Sequence, residues 1–318
     1  MCTPGHAVQA ARALDGVIEK LRAGQRQTLV VGVGHGMCTC EGAAFEYTFN
    51  VEHELRTRAL RDLADVIYLS NEYELGDFGV GGMVFRQQGF LSSSQIWTES
   101  LFRERGVKAI LRAHVERVEP GKIYYETLDG TRDALAFDLA MLLPPFRGAD
   151  LKAYDRAGAD ITADLFAPSG FLKVDADYTP KQRDQWRAED WPETYQSPRY
   201  ASVFGIGIAF APPHAISTPR TSPNGTVIAP APPRTGMPSA VMGAACIASA
   251  GAGIRTGTAA AMTMYPVVPD YARFPVHGRS VKDTYGEIGL AAHWVKHLLH
   301  FVFIYKAKAR PGWAFLPE

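Results

Sequence analysis

The chain has 318 residues, of which 47% are hydrophobic and 21% are charged, so it can bury a large core and form about two domains. Its 33 basic and 33 acidic side chains balance to a formal net charge of +0. Because nucleic-acid binding depends on a concentrated surplus of Lys and Arg, we expect neither DNA nor RNA as a partner. The four cysteines are too few and too scattered for a disulfide scaffold, which leaves chemistry or packing as their roles.

The beginning of the chain predicts a helix. No basic segment followed by an apolar one precedes it, so there is no sign of a secretory signal. Apolar residues recur at helical spacing over residues 7–21, and we assign residues 1–27 to a leading segment and helix. A chain that opens in this way resembles the middle of a fold, so we expect a further N-terminal piece to precede it.

Strands and helices then alternate. Buried, β-branched runs and amphipathic stretches predict strand, helix, strand and helix at residues 28–33, 42–58, 65–70 and 94–105. This order is typical of a Rossmann-like α/β unit. Four short apolar runs follow, around turns at residues 120–121 and 129–130, and they predict a small antiparallel meander over 107–111, 115–118, 122–128 and 134–143.

The region from residue 145 to about 270 has a less regular pattern. Its clearest predicted strands are residues 171–175 and 202–208. Residues 211–238 are dense in Pro, Gly, Ser and Thr, which indicates a long loop, and residues 239–254 predict a helix of small residues. Long ordered loops inside compact domains are usually functional.

The glycine turn after the first strand resembles a dinucleotide fingerprint, but only in part. Gly32, Gly34 and Gly36 are present, whereas Met37 occupies the last glycine position, and the first acid after the second strand is Glu72. The pattern therefore favours a Rossmann-type unit kept for its architecture over an NAD(P) site. No second strand-glycine-helix motif offers a place for a flavin pyrophosphate.

The cysteines differ in their surroundings. Cys38 and Cys40 lie where the glycine turn meets a helix start, and the amides and dipole of a helix N-terminus favour the thiolate. Cys246 lies among small apolar residues, where a cysteine is more often a core hydrophobe. A zinc site at His35, Cys38 and Cys40 would lack a fourth ligand, so we expect no metal.

The C-terminal region, residues 271–318, contains a helical stretch at 288–305 that should lie at a membrane surface. One polar stripe runs through His293, Lys296, His297 and His300. The broad apolar remainder is followed by basic residues and a tryptophan: Trp294, Leu298, Phe301, Phe303, Ile304, then Lys306, Lys308, Arg310 and Trp313. Such flanks suit an interfacial helix. The alternative is an amphipathic helix docked on its own core or on a second subunit.

Seven segments carry a resemblance to a known family: residues 40–47 (CEGAAFEY), 55–62 (LRTRALRD), 75–82 (LGDFGVGG), 168–175, 203–213 (VFGIGIAFAPP), 233–236 (PRTG) and 305–318 (YKAKARPGWAFLPE). Together they resemble the flavin-dependent sulfide:quinone oxidoreductases, a branch of the two-dinucleotide-domain flavoprotein reductases. The resemblance implies an α/β chain with a NAD(P)-type Rossmann-like domain at 28–144, the C-terminal part of a FAD-binding domain at 145–270, and an amphipathic helical tail. The family's N-terminal FAD-binding unit is not found in the sequence.

The resemblance also implies a function. Family members oxidise sulfide to sulfane sulfur with a cysteine pair, reduce bound FAD, and pass the electrons to quinone in the membrane. Cys40 and Cys246 would be the pair, and Cys2 the third thiol that helps to release polysulfide. Gly205 and Gly207 would approach the flavin ribityl and pyrophosphate, while Arg234, Thr235 and Gly236 would lie near the pyrimidine edge of its ring. Where relatives place His, this chain has Asp77.

The expected location is therefore peripheral, on the cytoplasmic (inner) membrane, with a homo-oligomer as an open question. Two other hypotheses remain. A type II NADH:quinone reductase-like flavoprotein would make the Gly32 to Gly36 turn functional. A non-catalytic fragment would bind a membrane or a partner chain without holding flavin by itself.

Overall fold

The structure is a computed structural model that describes residues 3–34, 38, 41–87, 89–144, 146–205, 207–214, 216–230 and 245–316. Its first half contains α1 (Pro4–Arg22), β1 (Gln27–Val33), α2 (Glu41–Thr57), β2 (Ala64–Leu69), β3 (Val84–Gln87), β4 (Phe90–Ser93), α3 (Ser94–Arg105), β5 (Lys108–Ile110), β6 (Ala113–Glu119), β7 (Lys122–Thr127), β8 (Arg132–Ala136) and β9 (Leu139–Leu143). The second half contains α4 (Thr162–Leu165), β10 (Arg220–Thr221), β11 (Val227–Ile228), β12 (Ala245–Ser249), β13 (Ala259–Thr263), β14 (Tyr285–Gly289) and α5 (Leu290–Ala307). The predicted helices at 7–21, 42–58 and 94–105 are confirmed as α1, α2 and α3.

A four-stranded parallel sheet in the order β5-β2-β1-β9 forms the centre of the first half. The inner strand β1 is almost wholly buried, as expected for a parallel strand with both faces covered. The prediction of an antiparallel meander over 107–143 is correct only for β6, β7 and β8. The flanking strands β5 and β9 instead join the parallel sheet. The prediction missed this because short apolar runs carry no signal for the direction of strand pairing.

Two glycines of the predicted dinucleotide turn are required by strand packing. A Cβ atom on Gly32 would lie 1.8 Å from the carbonyl oxygen of Leu69 on β2. A Cβ atom on Gly34 would lie 2.9 Å from the Cβ of Leu142 on β9. Since heavy atoms cannot approach so closely, both positions accept only glycine whether or not a nucleotide binds. This packing supports the architectural interpretation of the turn.

The core of the first half is aromatic. Phe45 and Phe49 on α2 lie with ring centroids 4.8 Å apart, and Phe102 of α3 meets Phe49 edge to face at 5.1 Å. Tyr68 of β2 packs against the same Phe102 at 5.4 Å. The apolar face predicted for α2 is therefore the face that it buries, and this packing fixes the position of α2 on the sheet.

A second, three-stranded antiparallel sheet has the order β12-β13-β14. The predicted helix at 239–254 is wrong for the described residues, because 245–249 form the edge strand β12. Alanine is a good helix former, but helix propensity is a weak signal, and here pairing with β13 decides the conformation. Successive residues of β12 face different clusters. Cys246 packs with the core that includes Phe45 and Phe49, whereas Ile247 packs with the cluster that includes Ala292 of α5.

The predicted strands at 171–175 and 202–208 are also wrong. The described residues there form isolated bridges instead: Leu172 pairs with Phe166 and with Phe210, and Phe204 pairs with Gln196. Leu172, Val174 and Phe210 are nevertheless buried. The apolar pattern correctly marked residues that enter the core, but no neighbouring strand extends the pairing.

Candidate functional site

The predicted thiols lie in different settings. Cys246 is on the edge strand β12, half-buried against α2, and Cys38 is buried in the apolar core. Cys2 and Cys40 lie outside the described residues, so their predicted roles stay predictions. Helix α2 begins at Glu41, the residue directly after Cys40.

The strand of Cys246 runs beside α2. Glu46, in the second turn of α2, is a charged neighbour of Cys246. Farther along, His53 Nε2 accepts a hydrogen bond of 3.1 Å from the backbone N–H of Ala252. Cys246 is therefore next to the N-terminal half of α2, through Glu46, and Ala252 is next to its C-terminal half, through His53. The N-terminal end of α2 is the one that follows Cys40 in the sequence.

Two charges act on the Cys246 thiol. Burial raises its pKa, the carboxylate of Glu46 raises it further, and the ammonium of Lys296 on α5 lowers it. Glu46 and Lys296 form an ion pair with each other. This pair was not predicted from the sequence, because its members are 250 positions apart and only the fold brings them together.

A buried carboxyl network lies at the end of β2. Glu72 accepts hydrogen bonds from the Tyr68 hydroxyl, from Ser70 Oγ at 2.9 Å and from the Phe78 N–H at 2.9 Å. Burial raises the pKa of Glu72 to about 7, and the charge of nearby Asp77 contributes to the increase. Glu72 can therefore hold a proton inside the molecule near neutral pH.

Asp77 connects this network to a cavity of about 530 Å³. Its Oδ1 accepts hydrogen bonds from the N–H groups of Gly79 (3.0 Å) and Gly81 (3.2 Å) and from Ser217 Oγ (3.3 Å). Burial raises the pKa of Asp77 above its ordinary value. The cavity is also lined by Tyr73, Arg220, Tyr271, His277 and Arg279.

Arg279 holds one wall of this cavity in place. Its guanidinium donates to the backbone carbonyls of Val80 and Gly82 at 2.7 Å each, and to those of Pro266 at 3.0 Å and Val267 at 2.6 Å. Burial lowers its pKa to about 10. The loop that carries Asp77 is thus tied to the segment before β14 by a buried cation.

We expect Glu72→Gln to change the pH dependence of stability. Because the folded-state pKa of Glu72 is raised from 4.5 to about 7, its contribution to folding is fully present below about pH 4.5 and is lost as the pH rises through 7. The glutamine variant lacks this loss. The free energy of unfolding of the wild type, minus that of the variant, should fall by about 3 kcal/mol between pH 4 and pH 8.

Urea unfolding at several pH values measures this difference. Glu74→Gln, an exposed position in the same loop, is the control and should shift stability equally at both ends of the range. A difference between the wild type and Glu72→Gln that does not change with pH would show that Glu72 keeps an ordinary acidity.

The two glycines expected near a flavin differ in the space around them. A Cβ atom on Gly205 would lie 2.9 Å from Val174 Cγ1 and 3.2 Å from Phe210 Cβ, so packing alone requires glycine there. Gly207 has a φ of +61°, and a Cβ atom built on it would meet no atom within 4 Å. An open glycine backbone of this kind fits the close approach of a cofactor. Arg234, Thr235 and Gly236 lie outside the described residues.

Helix α5 exposes its apolar side chains. Ala292 and His293 are buried and Lys296 is half-buried, whereas His297 and His300 are exposed. The exposed set consists of Trp294, Val295, Leu298, Phe301, Phe303 and Ile304, with Phe301 at 68%. The apolar side of the helix is therefore not packed on the core of its own chain. In the part of the chain that the structure describes, no helix combines the length and apolarity needed to span a bilayer.

The parallel sheet and the helices on it define a Rossmann-like α/β fold. Comparison of chains agrees with this class: the sulfide:quinone oxidoreductase from the hyperthermophilic bacterium Aquifex aeolicus superposes with a TM-score of 0.65 and 22% identity, over 96% of this chain and 63% of that one. NDH2 from Plasmodium falciparum gives a TM-score of only 0.32 at 13% identity, over 52% of this chain and 32% of that one, which supports no argument.

Among curated proteins, the sulfide-quinone reductase of Aquifex aeolicus (strain VF5) is 27% identical over 237 residues. That match covers 74% of this chain and 45% of the relative, so the chain spans about half the length of the curated protein it matches. No protein-family model matches. The resemblance predicted from the sequence is confirmed: the chain is similar to sulfide:quinone oxidoreductases in sequence and in fold.

Proposed function

We propose that this chain oxidises sulfide to sulfane sulfur with Cys40 and Cys246 as the working thiols, and that FAD carries the electrons to a quinone. The observation that carries the proposal is the position of Cys246 on β12, beside the end of α2 that directly follows Cys40. The similarity to sulfide-quinone reductase over 74% of the chain supports the same reaction. A cysteine that served only core packing would not need to lie beside the end of α2 that follows Cys40.

The reaction sets tasks for the residues of the chain. Hydrosulfide that becomes sulfane sulfur releases two electrons and one proton, and a quinone takes up two electrons and two protons. The thiols must ionise to thiolates in order to attack sulfur. At Cys246, Lys296 favours the thiolate and burial opposes it. Cys2 would be the third thiol, which helps to release the polysulfide.

The residues that could hold FAD are Gly207, whose backbone is open, and Arg234, Thr235 and Gly236, which the family resemblance assigns to the ring edge. Bound FAD would supply the group that accepts an electron pair from sulfur and passes it to the quinone. A cation at Arg234 would stabilise negative charge on the reduced ring. Packing explains the glycine at position 205, so its presence is not by itself a sign of a cofactor site.

The exposed apolar side of α5 supports a membrane-bound, peripheral location. A quinone dissolves in the bilayer, so an enzyme that reduces it must reach the lipid surface. Six large apolar side chains on one helix, followed by Trp313 and the cations of Lys306, Lys308 and Arg310, match an interfacial anchor. We place the chain on the cytoplasmic (inner) membrane.

Anaerobic reduction of the purified protein tests the reaction. Protein prepared with FAD should show the visible flavin spectrum, and sulfide should bleach it rapidly while NADH does not. Bleaching by NADH alone would favour the NADH:quinone reductase alternative, although Gly32 and Gly34 are already committed to packing. Protein that retains no flavin would favour the non-catalytic alternative.

A further inference from the structure

An ion pair crosses the edge of the β12-β13-β14 sheet. Glu46 lies on α2, which packs against the face that carries the Cys246 side chain, and Lys296 lies on α5, which packs with Ile247 on the other face. Because β12 is the edge strand, the two side chains can meet around it. Cys246 lies on this strand, close enough for both charges to act on its thiol.

The position of Lys296 on its helix is unusual. Its neighbours Trp294, Val295 and Leu298 are exposed by 45% or more, whereas the Lys296 side chain is 35% exposed and turns toward Glu46. A lysine on a helix with an outward apolar face would ordinarily extend its ammonium into water. Here the ammonium pairs with the Glu46 carboxylate of α2, and α2 packs against the strand that carries Cys246.

Two histidines of α5 lie near this point. His293 Nε2 and His297 Nε2 are 3.1 Å apart, and burial lowers the pKa of His293, which disfavours its charged form. His53 is engaged with the backbone of Ala252. Among the described residues around Cys246, Lys296 supplies the stabilising cation and Glu46 the opposing anion.

We propose that Lys296 is a positioning residue for the thiol chemistry, and that the balance between Glu46 and Lys296 adjusts how readily Cys246 becomes a thiolate. The two side chains pair at the edge strand that carries Cys246, and any change that separates the two charges changes the reactivity of the thiol. This inference rests on the proposed role of Cys246 and adds a residue to that site. It also links the thiol to α5, the helix with the exposed apolar face.

Alkylation of Cys246 by iodoacetamide tests the inference without sulfide, flavin reduction or quinone. The rate is followed from pH 6 to pH 10 on the full chain, and the modified peptide is identified by mass spectrometry. Loss of the cation in Lys296→Met should slow alkylation at pH 7 by about 3- to 10-fold, because the pKa of the thiol rises by about half a unit to one unit. Loss of the anion in Glu46→Gln should accelerate it by a similar factor.

Two further variants separate charge from folding. Lys296→Arg keeps the cation and should alkylate at nearly the wild-type rate, and the double variant Glu46→Gln with Lys296→Met should fall between the two single variants. A structural role alone would change accessibility in the same direction for both single variants, with no shift of the pH midpoint. That result, or slow alkylation in Lys296→Arg, would overturn the inference.

The outcome is independent of the proposed reaction. A protein whose flavin is not bleached by sulfide, but whose alkylation midpoints shift in opposite directions, would keep the charge control of Cys246 and lose sulfide oxidation. Bleaching by sulfide with unshifted midpoints would leave the reaction standing and remove Lys296 from it.

Discussion

Serine in place of Cys40 or Cys246 should slow the bleaching of flavin by sulfide by at least about 1,000-fold, because a hydroxyl neither binds sulfane sulfur nor forms a nucleophilic thiolate near neutral pH. Serine in place of Cys38 should leave the rate within about threefold of the wild type. Cys38 is only 3% exposed and packs in the apolar core, so its loss affects stability before it affects chemistry. Stopped-flow absorbance under anaerobic conditions measures all three rates.

Cys38 is the matched control, since it lies two residues before Cys40 in the sequence. Equal losses in Cys38→Ser and Cys40→Ser would contradict the choice of Cys40 as the nucleophile. Unfolding curves for each variant show whether a slow rate reflects lost chemistry or lost fold.

Charges on the outward face of α5 should release the protein from lipid. Leu298 and Phe301 are 63% and 68% exposed, one turn apart on the helix. Replacing both by glutamate removes two apolar contacts with the bilayer and adds two charges that anionic headgroups repel. We expect the partition coefficient onto vesicles of phosphatidylglycerol and phosphatidylcholine to fall at least about 100-fold.

Co-sedimentation with these vesicles gives the partition coefficient. Val118→Glu, on the exposed side of β6 in the small meander, changes the charge of a similarly exposed apolar residue and should bind as the wild type does. Undiminished binding by the α5 double variant would mean that lipid attaches elsewhere and that the exposed face serves a second copy of the chain.

The helices α1, α2 and α3 and the strands β1 and β2 were predictable because their signals are local. The spacing of Phe45, Phe49 and Leu55 defines one face of α2, and the structure buries that face. The run at 28–33 is continuously apolar, as a strand covered on both sides must be, and it becomes β1. In these segments local pattern and tertiary packing favour the same conformation.

The second half could not be predicted in the same way. Residues 245–249 are small and carry no periodic pattern, so only pairing with β13 makes them a strand. The same limitation applies to β9, whose apolar run 139–143 gives no sign that it pairs in parallel with β1. Direction of pairing depends on residues more than 100 positions away.

The sequence proposes a set of thiols for the candidate site but does not reveal the electrostatic arrangement around Cys246. Glu46 and Lys296 each belong to an amphipathic pattern, and nothing in either pattern indicates that they meet. The raised pKa of Glu72 likewise depends on its burial beside Tyr68 and Asp77. Both features arise only in the tertiary structure, which brings distant residues together.

The unpacked side of α5 has a consequence for handling the molecule in solution. In water without amphiphile, we expect two copies to cover this side against each other, since soluble monomers rarely leave large apolar patches bare. A dimer measured under those conditions would reflect the absence of lipid, and the same sample should dissociate when mild detergent is added. Assembly size is therefore best determined with the helix already covered by a bilayer mimic.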